Sequence, residues 1–137
     1  MPALRFPYRI GHSDLLGRIR RPLLTIAIFS ERFREWIEIE NLLADTGADL
    51  TLLPSHLGEL LVPDIRGAKR GAVRGIVPGR GLRVYHHRLS LRIGARSFRG
   101  TVGMADSTAV PALLGRYQAL DYFTAVYRRG KALVLEW

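Results

Sequence analysis

From Pro22 onward the chain alternates short apolar runs with glycine, proline and polar turns, the rhythm of an all-β protein with little helix. Leu24 to Phe29 reads as one strand, and Arg34 to Glu40 alternates charged and apolar residues with the period of two that a half-buried strand requires. Ser30 to Phe33 is the turn between them. Leu42-Leu43-Ala44 then forms an apolar approach into Asp45-Thr46-Gly47-Ala48, and Leu50 to Leu53 leaves that loop as a further strand. Three more strands are expected at Leu82 to Leu91 or Ile93, Ser97 to Met104 and Ala112 to Leu114. Ala125 to Tyr127 and Ala132 to Leu135 pair across Arg128-Arg129-Gly130-Lys131 as a closing hairpin. One or two short helices fit, at His56 to Leu61 between Pro54-Ser55 and Pro63 and at Gln118 to Phe123.

An apolar run enters a glycine turn twice, at Leu42 to Gly47 and at Ala112 to Gly115, a weak internal echo. Between them, Gly67 to Gly81 holds five glycines and Pro78, the density of permissive positions expected of a hairpin tip that closes over a ligand. With 137 residues and no linker, the chain is expected to be a single domain over 1–137, in which residues 1–21 are an N-terminal extension or edge strand.

Composition removes several chemistries. The chain has no cysteine, which excludes disulfides, thiolate nucleophiles and cysteine-based zinc sites. His86 and His87 are adjacent on a strand and point to opposite faces, and no histidine pair has metal-binding spacing beside a glutamate, so no metal and no cofactor are expected. The apolar runs fall far short of the roughly 20 residues that cross a bilayer, and the first residues lack a secretory core, so the expectation is a cytoplasmic protein without a membrane partner. The formal charge of +9 raises the question of nucleic acid, but the arginines are dispersed and not interleaved with stacking aromatics, which argues against it.

Peptide hydrolysis can be done by carboxylates alone, without a metal or a nucleophilic side chain. Two carboxylates about 3 Å apart cannot both ionise, so they share a proton, and one serves as base while the other serves as acid on a water held between them. Asp45 stands at a strand end in a tight turn, where Thr46 can brace the loop, Gly47 admits a close backbone and Ala48 keeps the wall small. Alone, Asp-Thr-Gly is ordinary turn chemistry.

The wider segment Asn41 to Pro54, with Asp45-Thr46-Gly47-Ala48-Asp49 at its centre, resembles the active-site segment of retropepsin-like aspartic proteases, the retroviral proteases and their cellular relatives. Leu113-Leu114-Gly115-Arg116 is similar to the second signature of that family. The resemblance implies a closed β-barrel acid-protease fold and a two-fold homodimer that cleaves polypeptide substrates, each subunit giving one carboxylate. It implies that Asp45 is catalytic, that Thr46 locks the two loops, that Gly47 meets the substrate main chain, and that Asp49 pairs with Arg116. Ile76, Val77 and Gly79 would belong to a substrate-covering flap, where Pro78 and Arg80 depart from the family's glycine-rich tip. The alternative keeps the fold and gives up catalysis, leaving a dimeric module that binds peptide or nucleic acid.

Overall fold

The computed structural model describes residues 2–74 and 81–137. The strands in chain order are β1 (Ala3–Pro7), β2 (Arg9–Ser13), β3 (Gly17–Arg21), β4 (Leu23–Ser30), β5 (Glu35–Ala44), β6 (Thr51–Leu53), β7 (Lys69–Arg74), β8 (Gly81–Ile93), β9 (Arg96–Ala105), β10 (Leu113–Leu114), β11 (Thr124–Arg128) and β12 (Ala132–Glu136). One helix, α1 (Ser55–Leu61), follows β6, and short 3-10 turns occupy Ile65–Gly67 and Leu120–Tyr122. The second turn replaces the longer helix expected over Gln118 to Phe123.

Six strands close on themselves in the order β4-β5-β10-β6-β9-β8, because β8 also pairs antiparallel with β4 through Ala27↔Arg92 and Ile28↔Leu91. The fold is thus mostly β around a closed barrel, and closure leaves no free edge on those six strands. Strand β7 extends the sheet beyond β8. Alternation fills the interior: Leu24, Ile26 and Ile28 of β4 and Leu89, Leu91 and Ile93 of β8 are all buried, each two residues from the next. Val102, Met104, Leu53 and Leu114 complete the same core.

A second sheet, ordered β1-β12-β11, packs Leu133 and Leu135 into the barrel core. Part of the N-terminal segment is therefore an edge strand, with Ala3 to Pro7 running antiparallel to Ala132 to Glu136. The rest, Arg9 to Arg21, folds back as a two-stranded hairpin that the hydrophobic pattern alone did not separate. Among the described residues no helix is long and apolar enough to cross a membrane.

Strand β5 is not regular. Ile39 and Leu42, three residues apart, are both buried, which a strict period of two forbids. The register slips opposite Leu24 to Ile26, and Asn41 takes φ of 58°, a left-handed conformation that asparagine tolerates better than most residues. The bulge turns the strand so that Leu42 and Ala44 face the core just before Asp45.

Helix α1 packs against β4 and β9, with Leu61 buried and Gly58 against Ile65 and Met104. Its last carbonyls are satisfied from the β4–β5 turn: Glu31 N–H donates to Leu61 O at 2.8 Å, and the fully buried Ser30 hydroxyl donates to Leu60 O at 2.6 Å. The same Ser30 oxygen accepts from Phe33 N–H at 3.0 Å. Replacing Ser30 by alanine removes both of these part-buried hydrogen bonds, so S30A should lose about 1 kcal/mol of stability. A urea unfolding midpoint that matches the wild type would show that this junction carries no such cost.

Candidate active site

Asp45 follows β5 directly, and the loop 45–50 ends where β6 begins at Thr51. The two flanking strands do not pair with each other. Strand β10 lies between them, parallel to β5 through Leu113↔Leu43 and Leu114↔Ala44 and antiparallel to β6 through Leu113↔Leu52. The two halves of the sequence echo are thus neighbours in space.

Backbone groups from this insertion hold the loop from behind. Asp45 N–H donates to Leu114 O at 3.0 Å, Arg116 N–H to Ala48 O at 3.0 Å, and Tyr117 N–H to Asp49 O at 2.8 Å. Gly115 N–H donates to the hydroxyl of Thr51, which is fully buried. A Cβ on Gly115 would lie 2.4 Å from the carbonyl carbon of Leu50 and 2.6 Å from its oxygen, so only glycine permits this approach.

Within the loop, the Asp45 carboxylate oxygen Oδ1 accepts from Gly47 N–H at 2.9 Å, and Ala48 N–H donates to Asp45 O at 3.2 Å. This is an aspartate turn that orients its own carboxylate. Asp45 and Ala48 are half-buried, while Thr46 and Gly47 are exposed at the loop tip. Arg116 donates through a guanidinium nitrogen to Asp49 Oδ1. Both side chains are largely exposed, at 47% and 87%, so the pair braces geometry and adds little stability. Leu113 is half-buried, and Leu114 and Gly115 are buried.

Ile76, Val77 and Gly79 lie in 75–80, outside the described residues. The strands beside that segment are paired, with Arg74 opposite Gly81 and Lys69 opposite His86. His86 and His87 diverge as expected of strand neighbours: the His86 ring covers Gly71, and His87 Nε2 lies 2.6 Å from Ile65 O. Among the described residues no three of His, Asp or Glu converge as a metal-binding set.

Three contributors to the site escaped sequence reasoning. Pro22 O accepts from Ala44 N–H at 3.0 Å, which ties the end of the N-terminal hairpin to the residue before Asp45. Arg9 donates to Asn41 Oδ1 at 2.9 Å and to Thr25 Oγ1 at 3.3 Å, clamping the β5 bulge. Tyr127, from β11, donates its hydroxyl to Ala44 O at 3.2 Å. Its pKa is raised above 10.0 by burial first, then by Tyr8 and by the Asp45 charge. A tyrosine on a closing hairpin carries a signal only in hindsight, since a half-buried phenol needs a partner.

No protein-family model matches the chain, and no curated protein matches it in sequence. The chain is similar in structure to a retropepsin-like aspartic protease from Rickettsia conorii, known from a crystal structure, with a TM-score of 0.62 at 19% identity. The alignment covers 98% of this chain and 91% of that one.

Two measurements test this geometry. G115A should lower stability by about 3 kcal/mol or prevent folding, because the added carbon meets backbone that cannot yield; an unchanged melting temperature would contradict the fixed insertion of β10. For Tyr127, a raised folded pKa means that the unfolded chain ionises first as pH climbs past about 10. The stability advantage of wild type over Y127F should be about 1 kcal/mol below that pH and shrink above it. A gap that is constant from pH 8 to 11 would refute the assignment.

At the level of fold, then, the strands, the barrel and the order of elements are those of a retropepsin-like aspartic protease.

Proposed function

We propose that the chain is one subunit of a homodimeric aspartic endopeptidase in which Asp45 supplies one of two catalytic carboxylates. The observation that carries this reading is the placement of Asp45: an aspartate turn at the open end of β5, pinned from behind by Leu114 and Gly115, with its tip exposed. A two-fold partner facing that tip would bring a second Asp45 to within about 3 Å, the spacing at which two carboxylates share one proton.

The chemistry then follows. The ionised carboxylate takes a proton from a water held between the pair, and the resulting hydroxide attacks the peptide carbonyl. The protonated carboxyl hydrogen-bonds the oxygen on which charge develops. The amide nitrogen receives a proton as the C–N bond breaks, and the dyad returns to its singly protonated state. Thr46 is assigned to the contact with the partner loop and Gly47 to the substrate main chain by resemblance, and the exposure of both at the tip supports that assignment. Ile76, Val77 and Gly79 are assigned to the flap by resemblance, and the substrate is an extended polypeptide with apolar residues beside the cleaved bond. No cofactor takes part in this scheme.

Digestion of a peptide library across acid and neutral pH tests the reading. Wild type should cleave with a bell-shaped pH profile that reports two coupled ionisations of the dyad. D45N should keep its circular dichroism spectrum and its dimer and lose cleavage. Unchanged cleavage by D45N removes Asp45 from the mechanism, and peptide binding without cleavage at any pH leaves the non-catalytic module.

A further inference from the structure

The hairpin formed by β2 and β3 joins neither the barrel nor the terminal sheet. A two-stranded hairpin alone in water is marginal, so what holds it matters. Arg9 fastens its stem to the barrel through Asn41 and Thr25, while Arg21 braces the hairpin internally, lying across Gly11 and donating to His12 O at 3.1 Å. Its tip is equally defined. Leu16 N–H donates to Ser13 Oγ at 3.1 Å, and Gly17 takes φ of 73°, a conformation that few other residues accept.

This built turn displays apolar side chains to solvent. Leu15 is 90% exposed, Leu16 68% and Ile10 60%. Cross-strand pairing of Ile10 with Arg20 and of His12 with Arg18 puts these four on one face, and all four are exposed. The extremity is therefore apolar and the outward face behind it is basic, with Asp14 the single acid between Arg9 and Arg21.

We propose that this hairpin is a membrane-surface contact, in which Leu15 and Leu16 enter the headgroup boundary of an anionic bilayer while Arg18 and Arg20 engage the lipid phosphates. Spacing supports the assignment. At about 3.3 Å per residue, Arg18 and Arg20 lie about 7 and 13 Å behind Leu16, and their flexible stems let the guanidinium groups reach the headgroup layer. Shallow insertion of apolar side chains with cations at phosphate depth is how surface-bound elements hold an anionic bilayer without spanning it. Charge favours this occupant over a second copy packed hairpin against hairpin, which would bring the same arginines face to face. The hairpin is tied to Asn41 and, through Pro22, to Ala44, so docking would hold the Asp45 loop beside the bilayer. This inference is independent of the catalytic reading.

Co-sedimentation of the full chain with vesicles tests it, using phosphatidylcholine alone and phosphatidylcholine mixed with phosphatidylglycerol. Wild type should bind the mixed vesicles preferentially and release them as salt rises. L15S/L16S should weaken binding about tenfold or more through lost apolar burial, and R18Q/R20Q should do so through lost charge, with circular dichroism unchanged in both. Three outcomes would overturn the proposal: no preference for anionic vesicles, wild-type binding by either variant, or a hairpin substitution that disperses a dimer in sedimentation velocity while the wild type ignores vesicles. The last would assign the hairpin to a second copy.

Discussion

The insertion of Leu113-Leu114-Gly115 between the strands that flank Asp45 is the constraint on which the rest of the structure depends. A loop between two separated strands has no ladder of its own, and its backbone polar groups need partners from elsewhere. Here β10 supplies them, accepting from Asp45 N–H through Leu114 O, while Arg116 and Tyr117 donate to Ala48 O and Asp49 O. The fit leaves no space for a side chain at Gly115, whose N–H is taken up by the buried Thr51 hydroxyl. A buried hydroxyl aimed at a backbone donor is stabilising only while both partners stay in place, so the arrangement is rigid.

That rigidity extends into the barrel. Strands β5 and β6 flank β10 and are joined the other way round the barrel through β9, β8 and β4. Within the barrel β5 changes which of its side chains point inward, and the bulge at Asn41 makes the change shortly before the Asp45 loop. Arg9, Pro22 and Tyr127 reach the same few residues from outside the barrel. Elements from both ends of the chain thus converge on one loop.

Charge plays a different part. The Arg116–Asp49 contact is mostly exposed, and exposed ion pairs add little free energy, so it serves to orient the loop against the segment after β10. The Arg66–Asp106 contact, at 3.0 and 3.1 Å to the two carboxylate oxygens, is a similar brace between the first 3-10 turn and the residue after β9. Among the described residues most of the other arginines are exposed, where their charge governs which partners approach.

The sequence by itself determined most of the strands, because period-two alternation reports which side of a sheet is buried: Leu24 to Phe29, the long strand to Ile93 and the closing hairpin lie close to where the pattern put them. Asp45 and the Leu113 to Arg116 segment stood out by their resemblance to the two retropepsin-like motifs, since Asp-Thr-Gly by itself is ordinary turn chemistry. Only the tertiary structure decided that the two segments are parallel neighbours, since strand partners far apart in sequence leave no periodic trace. The hairpin Arg9 to Arg21 stayed hidden because its outward face mixes arginine with isoleucine and leucine, and exposure cannot be read from residue type. Tyr127 and Arg9 were invisible for the same physical reason: Tyr127 acts through Ala44, and Arg9 through Asn41 and Thr25, residues distant in sequence that only the fold brings within hydrogen-bonding reach.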